Sequence, residues 1–155
     1  GAPDASGAIW GLMTDLVVDT SVVIKWYAAH REPDFERARA LLVQHTRERC
    51  RLHVPMLALY EAGNALRYGT RLSAREQLRC LTDLFALDLS VHPLTSGGAV
   101  LAHELCHFFG VSFYDACFAA LAQELDTAFV TADEKLVTRL INFPRVHSLS
   151  AFNVE

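Results

Sequence analysis

Positive charge is scarce in this chain. Lys+Arg number 14 against 18 Asp+Glu, a formal net charge of −4, and only two of the basic residues are lysine. That balance argues against a protein that coats nucleic acid by bulk charge, though charge alone leaves function open. Close cysteine pairs are also missing. Cys50, Cys80, Cys106 and Cys117 fit neither a zinc ribbon nor a redox CxxC, and reduced, buried thiols in a cytoplasmic protein are the simpler expectation. Long hydrophobic runs are absent too. The longest uncharged stretch, residues 89–103, contains Pro93, Gly97 and Gly98, so no membrane span is expected. The first dozen residues lack the basic start and apolar centre of a signal peptide. Residues 1–8 look like a cloning remnant, with Met13 a plausible native start, and residues 1–12 are left out of the expected fold. No internal repeat, low-complexity tract or linker divides residues 13–155, so a single domain is expected.

What is present is apolar and alternating. At 155 residues and 52% hydrophobic content the chain can bury a sizeable core. Its mean hydropathy of +0.19 leaves room for apolar surface covered in a dimer or by a partner. Short β-branched runs predict strands at 16–19, 52–54, 89–92, 128–131 and 146–148. Between them, helical spacing and caps predict helices over 21–29, from Pro33-Asp34 through Phe35, Ala38, Leu41 and Leu42, and from Pro55 in a first turn to about Tyr68. A capping box, Ser73 with Glu76, opens the next, with Leu78, Leu81, Leu84 and Phe85 as its apolar positions. Further helices follow Gly97-Gly98 (through Leu101, Leu105 and Phe108, ended by Gly110), Ser112 and Asp133. Strands alternating with helices predict a three-layer α/β/α sandwich around a mostly parallel sheet.

In such a fold each strand delivers its carboxyl end to one edge, where ligands bind. Asp19 ends the first strand there, and Asp133 follows the end of another. Asp115 lies in the first turn of a helix that starts at that edge, and Glu61 about 9 Å along its helix from Pro55, with Asn64 three residues on. Each acid has an ordinary structural reading: Asp115 boxed with Ser112, Asp133 and Asp19 as caps, Glu61 as a solvated helix position. Their meeting on one rim favours a common site. Carboxylates about 4 Å apart repel by about 4 kcal/mol at an effective dielectric of 20, so the cluster needs cations or protons. All-oxygen ligands point to Mg²⁺ or Mn²⁺ rather than zinc.

The residues Leu16-Val17-Val18-Asp19-Thr20-Ser21-Val22, Val54-Pro55 leading to Glu61-Ala62-Gly63-Asn64-Ala65-Leu66, Ser112-Phe113-Tyr114-Asp115-Ala116, and Phe129-Val130-Thr131-Ala132-Asp133 resemble the PIN-domain ribonucleases. The resemblance is to the VapC-type toxins of type II toxin–antitoxin systems in particular. It covers the chain from Met13 onward and implies a metal-dependent endoribonuclease with Asp19, Glu61, Asp115 and Asp133 as catalytic acids. Asp19, Asp115 and Asp133 would hold one or two Mg²⁺ or Mn²⁺ ions. Glu61 would complete the shell directly or through water, and Thr20, Ser21, Asn64 and Thr131 would orient carboxylates or phosphate. It also implies an RNA substrate, a homodimer and a cognate VapB-type antitoxin that neutralises the enzyme. The alternative from another class is a catalytically idle PIN scaffold that binds RNA or protein.

Three further patterns compete for attention. His103-Glu104-Leu105-Cys106-His107 satisfies the zinc-protease H-E-x-x-H motif, and Gly110 extends it, but Phe113 stands where the longer pattern wants a third histidine. Leu101, Leu105 and Phe108 as the buried face would turn both histidines outward, so the match is taken as accidental. Arg67, Arg71, Arg75 and Arg79 recur every four residues, either as a solvated, ion-paired surface or as a phosphate-contacting ridge. Trp26 and Tyr27, at helical spacing with Val22 and Val23, belong to the core or a dimer interface before a base-stacking role.

Overall fold

The computed structural model describes residues 14–28 and 32–154. The expected cloning remnant, the start at Met13 and the end of the first helix at Ala29 lie outside those residues. Strands β1 (Thr14–Val18), β2 (Cys50–Pro55), β3 (Ser90–His92), β4 (Ala128–Thr131) and β5 (Val146–Ser148) form one sheet in the order β3-β2-β1-β4-β5. Every neighbouring pair is parallel. The helices are α1 (Thr20–Lys25), α2 (Phe35–Thr46), α3 (Leu57–Tyr68), α4 (Ala74–Ala86), α5 (Ser96–Phe109), α6 (Phe113–Glu124) and α7 (Glu134–Arg139). No single described helix is long and apolar enough to cross a membrane.

The continuous apolar run of β1 follows from its central place. Leu16, Val17 and Val18 are buried, as a strand covered on both faces requires. Right-handed crossovers then assign the layers. The steps β1 to β2 to β3 run one way across the sheet and carry α1–α4 on one face. The steps β3 to β4 to β5 run the other way and carry α5–α7 on the opposite face. Helix α6 packs on β1, β2 and β4 as well as on α5. Its buried Ala116, Ala119, Ala120 and Ala122 keep it close to the sheet. Phe118 on α6 stacks against Phe129 of β4 with ring centroids 5.9 Å apart. The direction of winding reverses between β1 and β4, so the crevice beyond their carboxyl ends is the topological switch point.

Several local expectations are corrected. Pro55 is the last residue of β2, opposite His92, not the first turn of a helix. A proline at a strand end loses no ladder bond it needs, and the Met56 N–H donates to the His92 carbonyl at 2.8 Å instead. Helix α5 begins at Ser96, before the glycine pair, because the Thr95 hydroxyl accepts the Gly98 N–H at 3.0 Å. It ends as expected at Gly110, whose φ of +68° suits a residue without Cβ. Leu78 and Phe85 of α4 are 64% and 67% exposed. Leu84 is buried and Leu81 half-buried, because α4 packs on α3 rather than on the sheet. On α5 the buried face centres on Ala102, and Phe108 is 80% exposed while its neighbour Phe109 packs against Phe143. Trp26 donates to the Ala38 carbonyl at 2.9 Å and Tyr27 to Asp83 at 2.9 Å, so both tie α1 to neighbouring helices.

Candidate active site

The sequence Asp19-Thr20-Ser21 sits where β1 turns into α1, and each side chain takes a different task. Asp19 is buried and occupies the N-cap of α1. Its Oδ2 accepts from the Ser21 hydroxyl at 2.6 Å, from the Thr131 hydroxyl at 3.0 Å and from the Ser21 N–H at 3.4 Å. Among the described residues all the hydrogen bonds to this carboxylate fall on Oδ2, leaving Oδ1 outside the network. The donating hydroxyls are themselves held. Ser21 Oγ accepts the Ala132 N–H at 3.0 Å, and Thr131 Oγ1 accepts the Asp133 N–H at 3.1 Å. Each hydroxyl has one hydrogen, already given to Asp19, so the 3.3 Å approach of Ser21 Oγ to Thr131 Oγ1 is a contact of two spent donors. The turn after β4 is thereby locked to the turn after β1.

Thr20 reaches the other way. Its hydroxyl donates to Glu61 Oε1 at 2.8 Å, fixing the second turn of α3 beside the end of β1. Asp115 sits in the first turn of α6, where the Ser112 hydroxyl accepts its N–H at 3.0 Å. Asp133 caps α7, its Oδ1 accepting from the N–H groups of Lys135 and Leu136 at 3.0 and 3.2 Å. Asn64 is exposed further along α3 and takes no part in these bonds. The ordinary cap roles of Asp19 and Asp133 are therefore real, and they coexist with the meeting of the four acids.

Electrostatics records that meeting. Burial pushes the Asp19 carboxyl above its ordinary range, and the charge of Asp115 adds to this against the hydroxyls of Ser21 and Thr131. Burial likewise raises Glu61, helped by Asp19 and Asp115 and opposed by Thr20. Asp115 is raised by burial and by Asp133, and lowered by Ser112 and Arg139. The four carboxylates thus form one chain of repulsion in the crevice between β1 and β4. No three of them bring ligand oxygens within 4.8 Å of one another, so three acids reach one small cation directly only after their side chains rotate inward.

A cleft of about 290 Å³ opens at the same sheet edge, lined by Pro55, Met56, Tyr60, His92, Phe113 and Tyr114 among others. Beside it runs a relay that the sequence did not reveal. Asp15 Oδ1 lies 2.6 Å from His53 Nε2, and His53 Nδ1 lies 2.9 Å from His92 Nε2. Burial and the neighbouring His53 lower the His92 imidazole, with Glu124 opposing. Only the register of β1, β2 and β3 brings these residues side by side. Arg67, Arg71, Arg75 and Arg79 surround the turn between α3 and α4. All are exposed, and among the described residues none has a carboxylate within 4.0 Å. The solvated surface considered for them is therefore present, with Arg67 4.9 Å over the Tyr68 ring and the Arg79 charge, after the hydrogen bonds of Ser73, helping to lower the Glu76 carboxyl.

Comparison with known proteins gives a match to the PIN domain family model over residues 16–139. Among curated proteins none is similar enough in sequence to match. Solved structures are similar in fold. PAE2754 from Pyrobaculum aerophilum is 22% identical with a TM-score of 0.61, over 81% of this chain and 79% of that one. A toxin–antitoxin complex from Klebsiella pneumoniae contains a chain 15% identical, TM-score 0.64, covering 86% and 97%. VapC20 of Mycobacterium tuberculosis, described as a sarcin–ricin loop cleaving toxin, is 16% identical, TM-score 0.61, covering 79% and 93%.

Proposed function

The chain belongs to the PIN domain family, and on that premise we propose that it is a metal-dependent endoribonuclease, the toxin of a toxin–antitoxin pair. The observation that carries the reading is the electrostatic coupling of Asp19, Glu61, Asp115 and Asp133 at the switch point of the sheet. The donor set fits a hard divalent cation. It is all oxygen, its best-buried member keeps one oxygen outside the hydrogen-bond network, and its mutual repulsion is relieved by positive charge. Asp19, Asp115 and Asp133 would hold one or two Mg²⁺ or Mn²⁺ ions. An ion held by these acids would supply water activation and offset charge on the phosphodiester.

The chain's own residues do the rest. Ser21 and Thr131 aim Asp19 and favour its ionised form against the effect of burial, and Thr20 holds Glu61 at the edge of the cluster, where a raised carboxyl can take or return a proton. The exposed arginines at the α3–α4 turn supply local positive charge for an RNA backbone that the acidic pocket would otherwise repel. Similar folds that occur in toxin–antitoxin complexes support a cognate antitoxin as partner. Exposed Tyr68, Leu78 and Phe85 provide apolar surface for it or for a second copy of this chain. The cytoplasm is where RNA and antitoxin would both be met.

The test is cleavage of total small RNA by purified, antitoxin-free protein with Mn²⁺ or Mg²⁺, with EDTA, and with Asp19→Ala beside the wild type. Discrete fragments requiring both metal and Asp19 are expected. Folded protein that leaves every RNA pool intact with either metal would overturn the reading in favour of a binding scaffold.

A further inference from the structure

Away from the acidic rim, on the outer side of α5, lies a second group of metal-binding side chains. His103, Cys106 and His107 each offer one ligand atom, and these atoms all lie within 4.8 Å of one another. The cause is helical geometry: positions i, i+3 and i+4 fall within about 100° of arc at 100° per residue. Both histidines are exposed and Cys106 is half-buried. The imidazole rings meet edge to face with centroids 4.4 Å apart. Cys106 Sγ rests against the His103 carbonyl oxygen at 3.2 Å, which holds the thiol on the histidine side of the helix.

We propose that His103, Cys106 and His107 form a binding site for a borderline transition cation, Zn²⁺ above all, separate from the hard-cation site of the acids. Two imidazole nitrogens and a thiolate are the donors such ions select, whereas Mg²⁺ and Mn²⁺ prefer oxygen. Metal–nitrogen and metal–sulfur bonds of about 2.0–2.3 Å put tetrahedral ligand atoms roughly 3.3–3.7 Å apart. The present spacing closes to that by rotation of the two exposed histidines toward the half-buried Cys106. Binding displaces the Cys106 thiol proton to solvent, so affinity rises with pH. Three protein ligands leave the fourth position to water.

The arrangement also separates this site from the protease motif with which it overlaps. Cys106, not a distant third histidine, completes the set, and the residue at the extended position is Phe113, the first of α6. The histidines are exposed on a helix whose opposite side packs on α6, unlike the enclosed histidines of a protease cleft. The metal acts as a clamp across one turn of α5.

The experiment is a Co²⁺ titration of the full chain under a non-thiol reductant, followed by displacement with Zn²⁺. One thiolate-bound Co²⁺ per chain, marked by a thiolate-to-cobalt charge-transfer band and intense tetrahedral d–d bands, is expected beside any weakly absorbing Co²⁺ held by the acids. Cys106→Ser should abolish the charge-transfer band, and His107→Gln should weaken or remove both, while Cys80→Ser and Asp19→Asn leave them unchanged. A charge-transfer band that survives in Cys106→Ser, or none in the wild type, would overturn the assignment. Circular dichroism of each variant without metal checks that the fold is retained, as expected for exposed His107 and the near-isosteric Cys106→Ser. Because the acidic rim contributes no thiolate, this outcome is independent of whether the chain cleaves RNA.

Discussion

Thr131→Val tests the chemistry of the rim with one atom's change. Thr131 is fully buried, and valine matches its shape but neither donates to Asp19 nor accepts the Asp133 N–H. A hydrogen bond to a charged group contributes about 1.5–3 kcal/mol, whereas the N–H of Asp133, an exposed residue, can turn to water. A loss of about 2 kcal/mol lowers Tm by roughly 4–8 °C for a domain of this size. The informative comparison is the same change in an Asp19→Asn background. There the acceptor is neutral and the lost bond contributes about 1 kcal/mol, while the Asp133 N–H is released equally in both backgrounds. The cost of Thr131→Val should therefore fall by about 1 kcal/mol in Asp19→Asn, measured by urea unfolding at pH 7.5 in EDTA. Equal costs in both backgrounds, within the about 0.3–0.5 kcal/mol over which independent sites add, would mean that Thr131 does not hold an ionised Asp19.

Millimolar Mg²⁺ or Mn²⁺ should raise the wild-type melting temperature; at about a hundred times Kd the gain is about 2.7 kcal/mol, or roughly 5–11 °C, and calorimetry showing no shift would mean that the acids do not share an ion. In EDTA, Asp19→Asn should melt above the wild type at pH 7.5. Because the folded-state pKa of Asp19 is raised, the native state binds more protons than the unfolded chain between the ordinary and raised values. Stability therefore falls as pH rises through that window, and the variant's advantage should vanish on acidification below it. Arg71→Glu with Arg75→Glu should weaken RNA binding and flatten its salt dependence, read by fluorescence anisotropy from low to physiological salt; unchanged binding would assign those arginines to plain solvation. Phe118→Ala, which removes the ring stacked on Phe129, should cost about 3–5 kcal/mol in denaturant unfolding, and a loss below 1 kcal/mol would show that the ring pair does not anchor α6 to the sheet.

Legibility from sequence followed the range of the interaction. Local chemistry was readable: the Ser73–Glu76 capping box forms as expected, Gly110 ends its helix, and β4 and β5 occupy the predicted residues. These depend on neighbours a few positions apart. Faces were harder. Leu78, Phe85 and Phe108 have helical spacing, but whether an apolar stripe meets the core depends on which element lies opposite. Sequence period carries no such information. The idea that four acids share a rim was reachable because alternating strands and helices send every strand end to one edge, whatever the strand order.

What only the tertiary structure decided are the pairings between distant segments. Nothing local tells Ser21 and Thr131, 110 residues apart, that both will donate to one carboxylate, or Thr20 that it will hold Glu61. The Asp15–His53–His92 relay exists only because β1, β2 and β3 align in one particular register. The sequence by itself determined the elements, the parallel sheet and the edge where the acids gather, since hydrophobic period, caps and crossover handedness are properties of a chain. The order β3-β2-β1-β4-β5, and with it which hydroxyl faces which carboxylate, required the folded molecule, because directional hydrogen bonds are set by placements of a few ångströms that no one-dimensional pattern records.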